Sequence, residues 1–134
     1  MTKKTLMRGG RGADAPGYEL LDAEAWSRRN PATFEIPSAE VRRGLAPPRG
    51  ARDTVLAKLV FLPSDGLAGE RMWVRVSGGR GGSYVGLLDN EPVAAVGASL
   101  GDEVRFRPEH VIDVDVVRPE GGLVAKLLGA LREW

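Results

Sequence analysis

Residues 69–76 read Gly-Glu-Arg-Met-Trp-Val-Arg-Val. A glycine opens the stretch, and then Met72, Val74 and Val76 alternate with Arg71, Trp73 and Arg75. A period of two over this length belongs to a half-buried antiparallel strand, because successive side chains leave a strand on opposite faces. One face therefore enters a core. The other carries an indole between two guanidinium groups, a composition that suits a contact surface better than bare water.

Similar short extended segments flank this strand. Before it, Val55–Leu62 is an apolar run interrupted only by Lys58, the pattern of a strand covered on both faces, and Pro63-Ser-Asp-Gly66 makes the turn between the two. After it, Gly78-Gly-Arg-Gly-Gly82 forms a hairpin tip that leads to a strand at Ser83–Leu88, closed by the turn cluster Asp89-Asn90-Glu91-Pro92. Leu100-Gly-Asp is a tight turn before Glu103–Arg107, where Val104 and Phe106 face inward. Pro108-Glu-His predicts one 3₁₀ turn, and Ile112–Val116 is a last alternating strand.

The N-terminal third is different. Lys3, Lys4, Arg8 and Arg11 lie among glycines and small residues, which predicts a disordered basic arm over 1–17. Asp22 is a good N-cap for a short helix at about 22–29 with Trp26 as inward anchor and Arg28 and Arg29 at its dipole-negative end. Ser38 and Gly44 bracket a second short helix, and Pro47, Pro48 and Gly50 make a loop of 46–53. At the other end, Leu123, Leu127, Leu131 and Trp134 share a helical face, which predicts a helix at about 122–133 docked on the rest.

These segments fit one α+β domain over 18–134: short N-terminal helices, a small, strongly bent antiparallel β-barrel of the SH3-like kind at about 54–117, and a C-terminal helix. The 134 residues suffice for one core, and 28% charged residues with a net charge of +1 exclude binding to nucleic acid by overall charge. The absence of cysteine removes disulfides, thiolate nucleophiles and sulfur-ligated zinc, and fits a cytoplasmic setting. No apolar run is long enough to span a bilayer, and no apolar region follows the basic opening, so neither membrane association nor a signal peptide is expected.

Five ordered blocks carry a family likeness: Phe34-Glu-Ile-Pro; Ala57-Lys-Leu-Val-Phe; Gly69-Glu-Arg-Met-Trp-Val; Gly86-Leu-Leu-Asp-Asn-Glu-Pro; and Leu100-Gly-Asp-Glu-Val-Arg-Phe-Arg-Pro-Glu-His-Val-Ile-Asp. In this order they resemble the bacterial domain of unknown function 2314 family over about residues 33–114. The proline-rich loop at 46–53 and both tails depart from that pattern. The resemblance implies a small bacterial cytoplasmic domain without an established catalytic role, and a binding or immunity-type role.

The residues offer three functional surfaces. The first is a protein-binding face of Arg71, Trp73, Arg75 and Tyr84, edged by Asp89, Asn90 and Glu91. If the glycine loop closes symmetrically, Arg75 pairs with Val85, Trp73 with Leu87, and Arg71 with Asp89. The plainer alternative is that the terminal helices simply cover Trp73. The second is a nucleic-acid surface of Arg75, Arg80, Arg105 and Arg107, helped by the N-terminal arm. The third is a hydrolase site of Glu70, Asp89 and Asp102 around a divalent cation; these residues also suit turns. His110 is the sole histidine, expected to cap the 3₁₀ turn through a carboxylate such as Glu109 or Asp113. Gly78–Gly82 lacks the Lys-Ser/Thr pair of a phosphate loop. The leading expectation is a non-catalytic protein-binding or regulatory module with no cofactor and no metal.

Overall fold

The computed structural model describes residues 17–33, 35–48, 50–64, 68–93 and 97–118. The expected arm at 1–17, apart from Gly17, and the expected C-terminal helix lie outside them. In chain order the elements are β1 (Tyr18–Leu20), α1 (Ala23–Arg29), α2 (Ala39–Arg43), β2 (Thr54–Pro63), β3 (Glu70–Arg80), β4 (Ser83–Leu88), β5 (Glu103–Phe106), a 3₁₀ turn (Pro108–His110) and β6 (Val111–Val117).

β2 organises the sheet, because both of its edges are hydrogen-bonded. β3 occupies one edge over Leu56–Phe61. The other is shared: β6 pairs with Thr54–Leu59, and β1 takes over at Phe61–Pro63. β4 and β5 continue antiparallel from β3, so the sheet runs β1-β2-β3-β4-β5 with β6 returning to β2. That return, made through the 3₁₀ turn, curls the sheet into a half-barrel. The result is an SH3-like small β-barrel with short helices attached.

Alternation fills its interior. Met72, Val74 and Val76 of β3 are buried together with Leu59 and Phe61 of β2, Leu88 of β4, Val104 and Phe106 of β5, and Val111 of β6. Tyr18 packs edge-on against Phe61, with ring centroids 4.9 Å apart. This explains β1, which the sequence reading missed: three residues are too few to show a period.

A second, smaller cluster on the outside of β2 joins Ala23, Val60 and Ile112, with Leu21, Ile36 and Leu62 against it. A bulge makes this possible. The β2–β6 register shifts between Lys58 and Leu59, leaving Ile112 without a Cα partner, so that Val111 enters the barrel and Ile112 the outer cluster. Through this cluster and the 3₁₀ turn the two helices are seated on the barrel; α1 packs on both the turn and β6, and α2 on the turn.

The helices start as their caps dictate. Asp22 Oδ1 accepts from Ala25 N at 2.9 Å and Ser38 Oγ from Val41 N at 3.2 Å. Trp26 is half-buried.

The β3–β4 hairpin corrects the symmetric pairing. β3 runs on through Gly78 and Gly79 to Arg80, and only Gly81 and Gly82 form the turn, with φ of 63° and 82°. Two adjacent positive φ values fit the two-residue turns that glycine favours. A shift between Val76 and Gly78 leaves Ser77 as a bulge, whose hydroxyl donates to Val85 O at 3.0 Å. Arg75 consequently faces Leu87 instead of Val85.

Gly86 lies opposite Val76, where a Cβ would come within 2.5 Å of Arg75 O and 2.6 Å of a Val74 methyl. A Cβ at Gly78 meets nothing within 4 Å. In urea denaturation Gly86→Ala should lose about 1–3 kcal/mol, as overpacking does, whereas Gly78→Ala should leave the midpoint unchanged or raise it slightly. Equal effects at the two positions would contradict this hairpin register.

Candidate functional site

The outer surface of the barrel is built from the residues that alternate away from the core. On β3 these are Arg71, Trp73 and Arg75. Trp73 stands between Lys58 on β2 and Asp89 beyond the end of β4, since Asp89 N donates to Trp73 O at 2.9 Å. On the far side of Lys58 lies Asp113 of β6. The Lys58 ammonium sits 5.2 Å from the indole centroid, a cation–π contact worth about 0.5–1 kcal/mol at an exposed site.

The Trp73 backbone is tied on both sides, because its own N–H donates to Asn90 Oδ1 while its carbonyl accepts from Asp89. The Asn90 side chain is therefore engaged in holding the strand end. The expected Arg71–Asp89 pairing is displaced, as the observed register brings Asp89 to Trp73. Arg71 lies beside Val60, and Arg75 between Leu56 and the exposed Leu87. The indole is half-buried, Arg71 and Arg75 are exposed, and α1 and α2 are seated at the 3₁₀ turn and β6.

Tyr84 does not belong to that face. Alternation along β4 turns it inward with Gly86 and Leu88, and it packs on Phe106 with ring centroids 5.2 Å apart. Its hydroxyl donates to Arg42 O at 2.8 Å and accepts from Leu45 N at 3.3 Å. It joins the hairpin to the end of α2.

The carboxylates of the hydrolase reading are not drawn together. Glu70 Oε2 accepts from Val93 N at 2.8 Å, and Asp102 Oδ2 accepts from Ser99 N at 2.9 Å, each holding a turn. Among the described residues no group of three or more His, Asp or Glu is placed to hold a metal ion. Of the arginines of the nucleic-acid reading, Arg80 and Arg107 come together at one cleft, and Arg75 and Arg105 lie apart from it. Arg105 pairs with Glu103 at 3.1 Å and Arg107 with Glu109 at 3.2 Å, while Arg80 stands at the hairpin tip and Arg75 on the Trp73 face.

His110 caps the 3₁₀ turn through a backbone partner, not a carboxylate: its Nδ1 accepts from Arg107 N at 2.9 Å. That bond needs an unprotonated Nδ1. Desolvation lowers the His110 pKa, partly opposed by Glu109 and Asp22.

Sequence reasoning missed Arg42. Placed in the last turn of α2 it reads as a dipole partner, yet it is buried while its neighbour Val41 is exposed. Its Nε donates to Pro37 O at 2.8 Å, and one terminal nitrogen donates to Glu24 at 2.9 Å and to Pro108 O at 3.2 Å. Nothing in a five-residue helix signals which of two adjacent arginines turns inward.

Comparison with family models, curated proteins and solved structures gave no match, so the likeness to the domain of unknown function 2314 family rests on the ordered sequence blocks alone.

Two outcomes follow from this geometry. Tyr84→Phe removes a hydroxyl that serves two buried backbone groups and should cost about 1–3 kcal/mol of stability; an unchanged urea midpoint would contradict the bridging role. The lowered His110 pKa means that the unfolded chain binds the proton more readily. Stability is then fully present above the ordinary histidine pKa near 6.5 and declines as pH falls from there towards the folded value. His110→Asn should flatten this part of the stability–pH curve, leaving the loss at lower pH from carboxylates such as Glu24, whose pKa is lowered chiefly by its hydrogen bond from Arg42.

Proposed function

We propose that this chain is a non-catalytic protein-binding module of a bacterial cytoplasm, and that its contact face is the outer surface around Trp73, with Arg71 and Arg75 beside it and Asp89 and Glu91 at the edge. One observation carries the reading: a half-exposed indole is held beneath Lys58 with both of its backbone polar groups tied down. A large aromatic fixed before contact loses little freedom on binding, and tryptophan and arginine dominate the residues whose truncation weakens interfaces most. An immunity-type role is one form such binding would take.

The catalytic alternative draws less support, since Glu70 and Asp102 act as turn acceptors and among the described residues no group of three or more carboxylates or histidines is placed to hold a metal ion. A polynucleotide needs a continuous basic track, and here Arg105 and Arg107 are partnered by Glu103 and Glu109. No helix among the described residues is long and apolar enough to cross a membrane.

The test is affinity capture by the full chain from its native lysate, with quantitative comparison against Trp73→Ala and Gly78→Ala. Partners recovered by wild type and by Gly78→Ala should fall at least about tenfold with Trp73→Ala, in the range of interface hot spots. Recovery of the same partners by all three proteins would remove this face from consideration.

A further inference from the structure

The other end of the β3–β4 hairpin carries a different feature. An open cleft of about 460 Å³ lies between the tip at Gly79–Ser83, the end of α2 and the 3₁₀ turn. Three arginines line it, Arg43, Arg80 and Arg107, each from a different segment, together with Glu24 and Glu109.

The charges do not cancel. Glu24 is held by the buried Arg42 at 2.9 Å and by Arg28 at 3.6 Å. Glu109 is held by Arg107 through Nε at 3.2 Å, leaving the far edge of that guanidinium beside Ser83, whose Oγ lies 3.4 Å from it. Arg43 and Arg80 are exposed and have no carboxylate partner among the described residues. Three arginines thus line one cavity, two of them without a carboxylate partner among the described residues, and both carboxylates of its lining are already occupied.

The frame around them is fixed before any ligand arrives. Tyr84, in the cavity wall, is bonded to the backbone of Arg42 and Leu45. The hairpin lies close over that ring, since a Cβ at Gly79 would approach Tyr84 Cδ1 to 2.5 Å. The distance between the Arg80 and Arg43 segments is thereby set by packing, and such preorganisation lowers the entropic cost of binding.

Guanidinium groups recognise carboxylate and phosphoryl oxygens through paired N–H donors. We propose that this cleft is an anion-binding site that receives an acidic side chain, carboxylate or phosphoryl, on an extended segment of a partner protein. Its volume falls among small-ligand pockets of roughly 300–1,000 Å³. A peptide fits better than a nucleic acid because acidic side chains lie along β6 as it leaves the 3₁₀ turn at the cleft's edge. That strand presents Asp113 and Asp115 to solvent, which would oppose a continuing phosphate backbone. The site stands on the arginine geometry and is independent of the Trp73 face.

The experiment is fluorescence anisotropy with the full chain at low salt. The probes are three labelled ligands of equal length: a glutamate-rich peptide, a phosphoserine peptide and oligothymidylate. At least one acidic peptide should bind saturably, and the better of the two identifies the preferred anion. Replacing Arg43→Gln and Arg80→Gln together, both at exposed positions, should weaken binding at least about tenfold, the scale of losing charge-assisted hydrogen bonds. Arg80→Lys should be intermediate, and Trp73→Ala should stay within about twofold of wild type. The proposal is overturned by failure of both peptides to bind, by binding insensitive to the paired arginine change, or by tighter oligothymidylate binding with the same arginine dependence. Loss of peptide binding in Trp73→Ala would overturn the independence of the two sites.

Discussion

The buried guanidinium of Arg42 ties the helical segment to the barrel, beside the apolar contacts of Ala23 with Val60 and Ile112. It donates to Pro37 O next to its own helix, to Glu24 of α1 and to Pro108 O at the 3₁₀ turn. Its backbone carbonyl accepts from Tyr84, which roots α2 on the hairpin as well. A charge out of water is tolerated only when it is paired and its donors are satisfied, and breaking such a pair costs about 3–5 kcal/mol. Helices of seven and five residues have no independent stability. Their persistence therefore depends on what they are bonded to.

That anchoring decides which surfaces stay open. With the helices drawn to the 3₁₀ turn and β6, the outer face of β3 keeps its tryptophan half-exposed. With α2 fixed by Tyr84, Arg43 is carried to the rim of the cleft opposite Arg80. The same Arg42 that holds the helix also engages Glu24, so a carboxylate that would otherwise oppose an incoming anion is already neutralised. The barrel core stands apart from both surfaces: β2, bonded along both edges, would keep its neighbours in register even if the helices loosened.

Much of the fold was legible because the local signals agreed with one another. Met72, Val74 and Val76 announced β3 by period alone, and Val104 and Phe106 did the same for β5. Asp22 and Ser38 fixed the helix starts through their side-chain oxygens, and Pro108 placed the 3₁₀ turn. Hairpin register was not legible, since four glycines and an arginine offer several ways to close a turn, and the Ser77 bulge depends on contacts across the strands. That register moved Asp89 from Arg71 to Trp73. Tyr84 was not legible either, since Val85 and Leu87 are as apolar as Leu88, and only the observed pairing shows that the face of Tyr84, Gly86 and Leu88 is the buried one. Arg42 and the cleft behind it arise from segments far apart in sequence, where no periodicity operates.

Native-state hydrogen exchange in Arg42→Lys tests the anchoring role most directly. Lysine keeps the charge but lacks the planar fork that reaches three acceptors. The account predicts that the amides of Trp26, Asn30 and Leu45 lose protection, while those of Met72 and Val74 in β3 retain theirs. Unchanged protection in α1 and at Leu45, or a loss spread evenly through the sheet, would contradict it.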